Sequence, residues 1–377
     1  MNIHIYPSNM KNESRILKET ASLAKAELFE DIWLIGLMEK DLAKDEMLDS
    51  TRKIIRLETC YEDRTGVIWK VLKTLTFWKN IIGLIKDKDI KVVQIHNLSI
   101  LPLGVVIKFW KKAKLVYDAH ELETERVGWG NHLKRISRIM ERFFIKFADA
   151  TIVVSEEIAR HYQVLYPYIK PVTILNAPMF SQVEKKNYFR EKFGIRDNQN
   201  IFIYQGGISE NRGLELILDA FEDLSNDKDV IIFMGYGELV PIVQEKAKSC
   251  NQIFFQLAVS PEDVLAYSSS ADYGITLMVF PDACLSYYYC LPNKLFEYCM
   301  ASLPIITSNA IEMRRFVEKN DLGVVVKEKT VAALKEAIEE IKKMPYDQIR
   351  ENCLGAARKV SWEVQEKILV DLYSKIV

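Results

Sequence analysis

Leu291–Asn309 reads LPNKLFEYCMASLPIITSN. An apolar helical pattern opens at the LPNK segment. It gives way at once to a β-branched run, PIITS, that ends in a polar turn. A helix feeding directly into such a strand is half of a repeating α/β unit. Lys294 and Glu297 stand three residues apart, so they share one side of the helix at its first turn. Free backbone N–H groups and the helix dipole attract anions there. The arrangement suits a nucleotide sugar, with Asn293, Lys294 and the amide of Leu295 toward the diphosphate and Glu297 accepting from ribose hydroxyls. The same spacing also suits an exposed helical ion pair, which contributes only ~0.2–0.5 kcal/mol.

Working outward, strand and helix signals alternate along the whole chain. IFIYQGG, DVIIFMGYG, QIFFQLAV, DYGITLM and GVVVK accompany PIITS as strands, with helices expected at 214–224, 239–248 and 261–269. Before them lie NIHIY, DIWLIGL, IRLE, KVVQIH, KLVYDAH, DATIVVS and PVTILNAP, with helices near 15–25, 67–85, 103–112 and 132–148. Val- and Ile-rich strands separated by helices argue for two parallel sheets, each covered on both faces. The pattern restarts after the polar stretch Pro178–Asp197, so residues 1–178 and 179–360 are expected as two doubly wound, Rossmann-like domains with a cleft between them. The closing helix, 361–377, follows the second sheet and is free to pack back on the first domain.

At 377 residues, 49% hydrophobic and 27% charged, the composition is that of a globular enzyme. The net charge of −1 hides an asymmetry: residues 1–176 carry 28 Lys and Arg against 23 Asp and Glu, and residues 51–150 carry 20 against 11. Two segments concentrate it. VIKFWKKAK (Val106–Lys114) interleaves Phe109 and Trp110 with lysines. In His132–Ala148 a stripe of Ile136, Ile139, Met140, Phe143, Phe144 and Phe147 lies opposite Lys134, Arg135, Arg138, Arg142 and Lys146. The stripe fits either a core-facing helix with a solvated basic face or peripheral contact with an anionic membrane. No segment reaches the ~20 uninterrupted apolar residues of a membrane span. The six cysteines show no metal or redox spacing, and no secretory leader is apparent. The expectation is a cytoplasmic protein able to touch the inner face of a membrane, with no nucleic-acid partner.

Motifs cluster at strand ends. YQGGISENRGLE places Gly206 and Gly207 after a strand and Arg212 before a helix, a phosphate cradle in which glycines admit the ligand and arginine neutralises it. FMGYGELV adds Gly235 and Gly237, but Val240 stands where a dinucleotide fingerprint needs its third glycine, so a nicotinamide site is weakly supported. VYDAHELE sets His120 and Glu121 at a strand end of the first domain, and HNLS sets His96 one strand earlier. A histidine there can position or deprotonate an acceptor hydroxyl. DKD at Asp87–Asp89 and Asp227–Asp229 reads as turns rather than metal ligands, and no His/Cys/Asp cluster has metal spacing.

With DAHE, QGGISENRG and PNKLFEY in this order, the chain resembles the retaining glycosyltransferases of family four, which have the GT-B fold. The resemblance covers nearly the whole chain. It implies a second domain that binds a nucleotide sugar, a UDP-sugar being favoured, and a first domain that binds a saccharide or lipid-linked acceptor. It implies no metal and no cofactor. By position, Arg212 would contact the diphosphate, Gly206 would open the phosphate loop, Glu297 would be the second glutamate of E-x7-E, and His120 would lie near the transferred sugar. Three positions depart from the family pattern. Tyr289 occupies the first glutamate of E-x7-E, Gly207 replaces a frequent arginine, and YPSNMKNESR replaces the glycine-rich loop of the first domain. The resemblance implies retaining transfer in surface polysaccharide or glycoconjugate assembly. A sugar-nucleotide epimerase and a catalytically silent GT-B partner subunit are the alternatives.

Overall fold

The computed structural model of the chain describes every residue except 61–65, 127, 225–226 and 280–283, and leaves aside the side chain at position 67. It divides into one unit of residues 1–175 with 365–377 and another of residues 176–364.

The first unit contains, in chain order, β1 (Asn2–Ile5), α1 (Ser14–Lys25), β2 (Ile32–Leu37), β3 (Asp45–Met47), β4 (Arg52–Leu57), α2 (Val67–Ile85), β5 (Val92–Ile95), α3 (Leu101–Lys111), β6 (Lys114–Ala119), α4 (Asn131–Phe144), β7 (Ala150–Val153), α5 (Glu156–Leu165) and β8 (Val172–Thr173). The sheet order is β3-β4-β2-β1-β5-β6-β7-β8, parallel except for β3, which pairs antiparallel with β4 at the edge. The run from β1 to β2 steps one way across the sheet. The runs β4 to β5, β5 to β6 and β6 to β7 step the other way. Right-handed crossovers therefore put α2, α3 and α4 on one face and α1 on the opposite face. The chain reverses direction between β1 and β5, and a crevice opens beyond their carboxyl ends.

The second unit contains α6 (Tyr188–Phe193), β9 (Asn200–Gly207), α7 (Leu214–Glu222), β10 (Asp229–Tyr236), α8 (Val240–Ser249), β11 (Ile253–Leu257), α9 (Val264–Ser268), β12 (Tyr273–Thr276), α10 (Leu285–Tyr288), α11 (Asn293–Met300), β13 (Ile305–Ser308), α12 (Ile311–Lys319), β14 (Gly323–Val326), α13 (Val331–Ile341) and α14 (Tyr346–Val360). Its six strands are all parallel, in the order β11-β10-β9-β12-β13-β14. The strands are buried on both faces, which is why they read as continuous apolar runs. Helix α7 shows the usual logic: Leu214, Ile217, Leu218 and Phe221 form its inner stripe, and each contributes about 1.5–3 kcal/mol by leaving water. Phe221 meets Phe202 at 5.5 Å between ring centres, and Phe202 stacks on Tyr273 at 4.8 Å.

Helix α15 (Trp362–Ile376) leaves the second unit and returns to the first from Gln365 onward. Gln365 accepts from the Leu175 amide at 2.9 Å, and Glu366 accepts from Ser22 and Lys25 of α1 at 3.0 and 2.7 Å. Tyr373 donates to Gln94.

The structure departs from expectation at several elements. Helices α5 and α6 were not anticipated, and the strand expected over PVTILNAP shrinks to Val172–Thr173. The stripe of α4 is not core-facing. Leu133, Ile136, Ile139 and Phe143 are exposed, while Ser137 and Glu141 are buried. Glu141 is held inside because Tyr117, Tyr162 and Tyr166 all donate to its carboxylate, at 3.0, 2.7 and 2.9 Å. Three hydrogen bonds to one charged group outweigh the burial of a few aliphatic side chains.

Candidate active site

In the second unit the topology reverses between β9 and β12. They pair only at Tyr273–Phe202 and Gly274–Ile203, then splay apart toward their carboxyl ends. Tyr298 of α11 fills the split. Its hydroxyl accepts from the Gln205 amide and lies 3.1 Å from the carbonyl oxygens of Ile203 and Ile275. Gly274 makes room for it, since a Cβ there would lie 2.5 Å from the Tyr298 ring. The crevice is flanked by the start of α7, which follows Arg212, and the start of α11, which carries Lys294.

Gly206 adopts φ +106°, a left-handed conformation that favours glycine. Gly235 and Gly237, expected as donor contacts, have a packing reason to be glycines. A Cβ on Gly235 would stand 1.9 Å from the Gly206 carbonyl oxygen, and one on Gly237 2.2 Å from that of Ile208. They shape the loop of Gly206 and Gly207 from behind.

Lys294 is 9% exposed, which excludes the exposed ion pair. Its ammonium lies 3.8 Å from the centre of the Tyr204 ring, beside Gly206. Glu297 instead accepts from the Gln205 side chain at 2.5 Å, and Gln205 in turn accepts from Ser268. Arg212 has its guanidinium 5.4 Å from the Tyr287 ring and touches the Met278 sulfur at 3.7 Å. Among the described residues, neither cation has a carboxylate partner within ion-pair distance. Burial, followed by the repulsion of Arg212, pulls Lys294 down to about 7, and Glu297 opposes the shift only in part. Helix α11 has no side-chain cap on its first turn, where Asn293 is exposed and Leu295 packs into the core. The Leu295 amide, expected to face the diphosphate, is taken by the Pro292 carbonyl at 3.0 Å, so the crevice presents two under-compensated cations, Arg212 and Lys294.

In the first unit a second polar constellation sits at the reversal between β1 and β5. Asn2 donates from its amide nitrogen to His4 Nε2 at 3.0 Å. His4 Nδ1 is then left to donate to His96 Nε2 at 3.0 Å, and His96 Nδ1 to Asp118 Oδ2 at 3.0 Å. His120 Nε2 reaches the same oxygen at 3.1 Å. Arg15 grips both Asp118 oxygens, at 2.9 and 2.8 Å. Burial opposes a charge on Asp118, but Arg15, His120 and His96 together hold its carboxyl well below the usual range. Burial pulls His96 down to about 4 and His4 well below its ordinary value, so both rings are neutral near pH 7. His96, expected to face the acceptor, is fully buried behind His120. Only His120 among these groups is partly exposed, with Tyr6 5.4 Å from it, ring centre to ring centre. Glu121 pairs with Arg126 at 2.9 Å, and Arg126 also holds the buried Glu123.

This gathering was illegible in sequence, where no metal-like cluster was expected. Two triads, His4–Glu19–His96 and His96–Asp118–His120, bring their donor atoms within 4.8 Å. Arg15 takes up both oxygens of Asp118, so the cluster is a hydrogen-bond network around an ionised aspartate. Gln205, Ser268, Tyr298, Arg15 and Asp118 were also missed, because each is defined by a partner distant in sequence.

Residues 185–360 match the family described as Glycosyl transferases group 1, and residues 45–177 match Glycosyltransferase Family 4. Both domains match glycosyltransferase families. The structure has the GT-B fold. It superposes on the sucrose-phosphate synthase of Thermosynechococcus elongatus with a TM-score of 0.80 at 14% identity, covering 100% of this chain and 98% of the other. It superposes on Anabaena HepE, solved in complex with UDP, with a TM-score of 0.76 at 13% identity and 99% coverage of both. A chitobiosyldiphosphodolichol beta-mannosyltransferase of Kluyveromyces lactis is 22% identical over 358 residues, 84% of this chain and 77% of its own. The matches make the chain similar to glycosyltransferases over both of its units.

Proposed function

We propose that this GT-B chain moves a sugar from a nucleoside-diphosphate sugar to a saccharide or lipid-linked acceptor, with retention and without a bound metal, in surface polysaccharide or glycoconjugate biosynthesis. Lys294 carries the reading. A nearly buried ammonium stands beside Arg212, at a helix N-terminus, and among the described residues no carboxylate lies in ion-pair distance. Such a pair of cations matches a diphosphate in charge and position. A UDP-sugar is favoured, in keeping with the UDP held by HepE. A lipid-linked acceptor accords with the basic first domain, and a membrane surface is where such an acceptor would be met.

In the reaction the bond between the anomeric carbon and the diphosphate oxygen breaks. The bond from that carbon to the acceptor oxygen forms on the same face, and the acceptor proton passes to the departing phosphate. Arg212 and Lys294 stabilise the charge that develops on the leaving group. Glu297, fixed by Gln205, accepts from ribose hydroxyls. His120, with Nε2 turned to Asp118, offers Nδ1 to a substrate hydroxyl. Calorimetric titration with UDP, GDP and ADP tests donor binding, and the anomeric configuration of the product tests retention. Near-wild-type transfer by Arg212→Ala and Glu297→Ala would sink the proposal.

Tyr289, at the first E-x7-E position, favours a second reading, a silent partner subunit. Folded protein that binds no nucleotide would decide for it.

A further inference from the structure

The exposed stripe of α4 does not stand alone. Ile136 and Ile139 are 62% and 63% exposed, and Leu133 and Phe143 lie open beside them. The neighbouring α3 exposes Val106, Phe109 and Trp110. Phe109 packs edge-on against Phe147 at 5.5 Å, which joins the two surfaces. On the same sheet face α2 exposes Ile68, Val71, Leu75 and Ile82 along one side. Its carboxyl end is tied to α3, because Lys111 donates to the Lys86 and Lys88 carbonyls at 2.5 and 3.0 Å. Exposed apolar side chains are therefore carried by three helices of one sheet face, two of them joined through Phe109 and Phe147.

The charge on these helices is one-sided. Together α2, α3 and α4 carry nine Lys and Arg and a single carboxylate, Glu141, which is buried under its three tyrosines. Among the described residues, no carboxylate pairs with Arg135, Arg142 or Lys146. Lys146 lies over the Phe143 ring at 4.6 Å, and Lys111 over Trp110 at 4.4 Å.

We propose that this face of the first domain is a docking surface for an anionic lipid bilayer. Protein interfaces are depleted of lysine and tend to keep their charges at a rim. Here Lys and Arg are interleaved with aliphatic and aromatic side chains, as in helices that lie in the headgroup layer. The aliphatic side chains and Trp110 would enter that layer, and the basic side chains would reach outward to lipid phosphates. The absence of exposed carboxylates on α2, α3 and α4 gives the face its complement, a negative surface. The inference is independent of the donor chemistry.

The test is co-sedimentation of the full chain with phosphatidylglycerol-containing vesicles and with pure phosphatidylcholine vesicles. The wild type should bind the anionic vesicles and scarcely the neutral ones, and added salt should release it. Each substitution Arg135→Gln or Arg142→Gln should weaken binding roughly fivefold. The pair Ile136→Ser with Phe143→Ser should abolish it. UDP titration of the same variants, alongside their melting temperatures, separates loss of docking from loss of fold or of donor binding. Wild-type protein that ignores anionic vesicles overturns the proposal, as does binding indifferent to lipid charge. A dimer that the Ile136→Ser, Phe143→Ser variant converts to monomer overturns it in favour of a protein partner.

Discussion

Replacing Lys294 by methionine should stabilise the ligand-free protein while destroying its affinity for nucleoside diphosphates. In the unfolded chain a lysine keeps its proton up to about pH 10.5, whereas in the fold Lys294 releases it near 7. Between these values the unfolded state binds more protons, so stability rises with pH through the window and the lysine's contribution is most unfavourable below it. The distance from 10.5 to about 7, at 1.36 kcal/mol per pH unit, puts the handicap on the order of 4–5 kcal/mol near neutrality. A methionine of similar length removes it. A bound diphosphate removes it differently, by restoring the proton. At about pH 8, where a diphosphate is already ionised, binding should therefore take up close to one proton. Calorimetry in buffers of different ionisation enthalpy reads that number directly, and denaturant unfolding across the same pH range reads the stability. Zero proton uptake at pH 8, or a methionine variant less stable than wild type that still binds UDP, would refute the reasoning.

Arg212→Ala should weaken UDP binding by about 1.5–3 kcal/mol, the worth of a charged hydrogen bond, with little change in melting temperature; titration calorimetry measures both sides. Asp118→Asn leaves Arg15 with only Glu19, 3.1 Å away, as a buried carboxyl partner and should cost about 1–3 kcal/mol in urea unfolding. Gly235→Ala forces a Cβ against the Gly206 carbonyl oxygen and should cost about 1–3 kcal/mol while displacing the loop of Gly206 and Gly207, which the proposed function reads as weaker UDP binding. Glu141→Gln should lower stability and bring the tyrosines toward their ordinary range, since burial first and then Glu141 hold Tyr166 far above it; spectrophotometric titration of the phenols follows this.

Parallel strands wrapped on both faces were legible because they leave unbroken runs such as DVIIFMGY, and the crossover helices between them follow from the fold class. The groups gathered at the crevice of the second unit were legible for the same local reason: Gly206, Arg212, Lys294 and Glu297 sit near strand ends and helix starts. What escaped depends on distant partners. His4 carries no motif because the residue it bonds is 92 positions away. Glu141 belongs to no motif, and it is tyrosines from β6, from α5 and just beyond it that hold that side of α4 inward. Helix α5 did leave a signal, Ser155 followed by two glutamates, and Ser155 accepts from the Ile158 amide at 3.3 Å. Strand β3, sequence DEM, has none of the residues that favour strands and exists because β4 offers it an edge.

The row from Asn2 to Asp118 has a grammar of its own. The amide nitrogen at its head can only give hydrogens, so every ring after it must receive on one side and give on the other, and the last gift falls on a carboxylate that can only receive. Word order is thereby fixed over three strands by the second residue of the chain. An aspartate at position 2 would reverse the sentence. Each imidazole would then point its bare nitrogen at the next group, and His96 would confront Asp118 with a lone pair unless a further proton entered a site that burial keeps dry. A change of one atom at the start of β1 would thus be read at His120, the far end of the row.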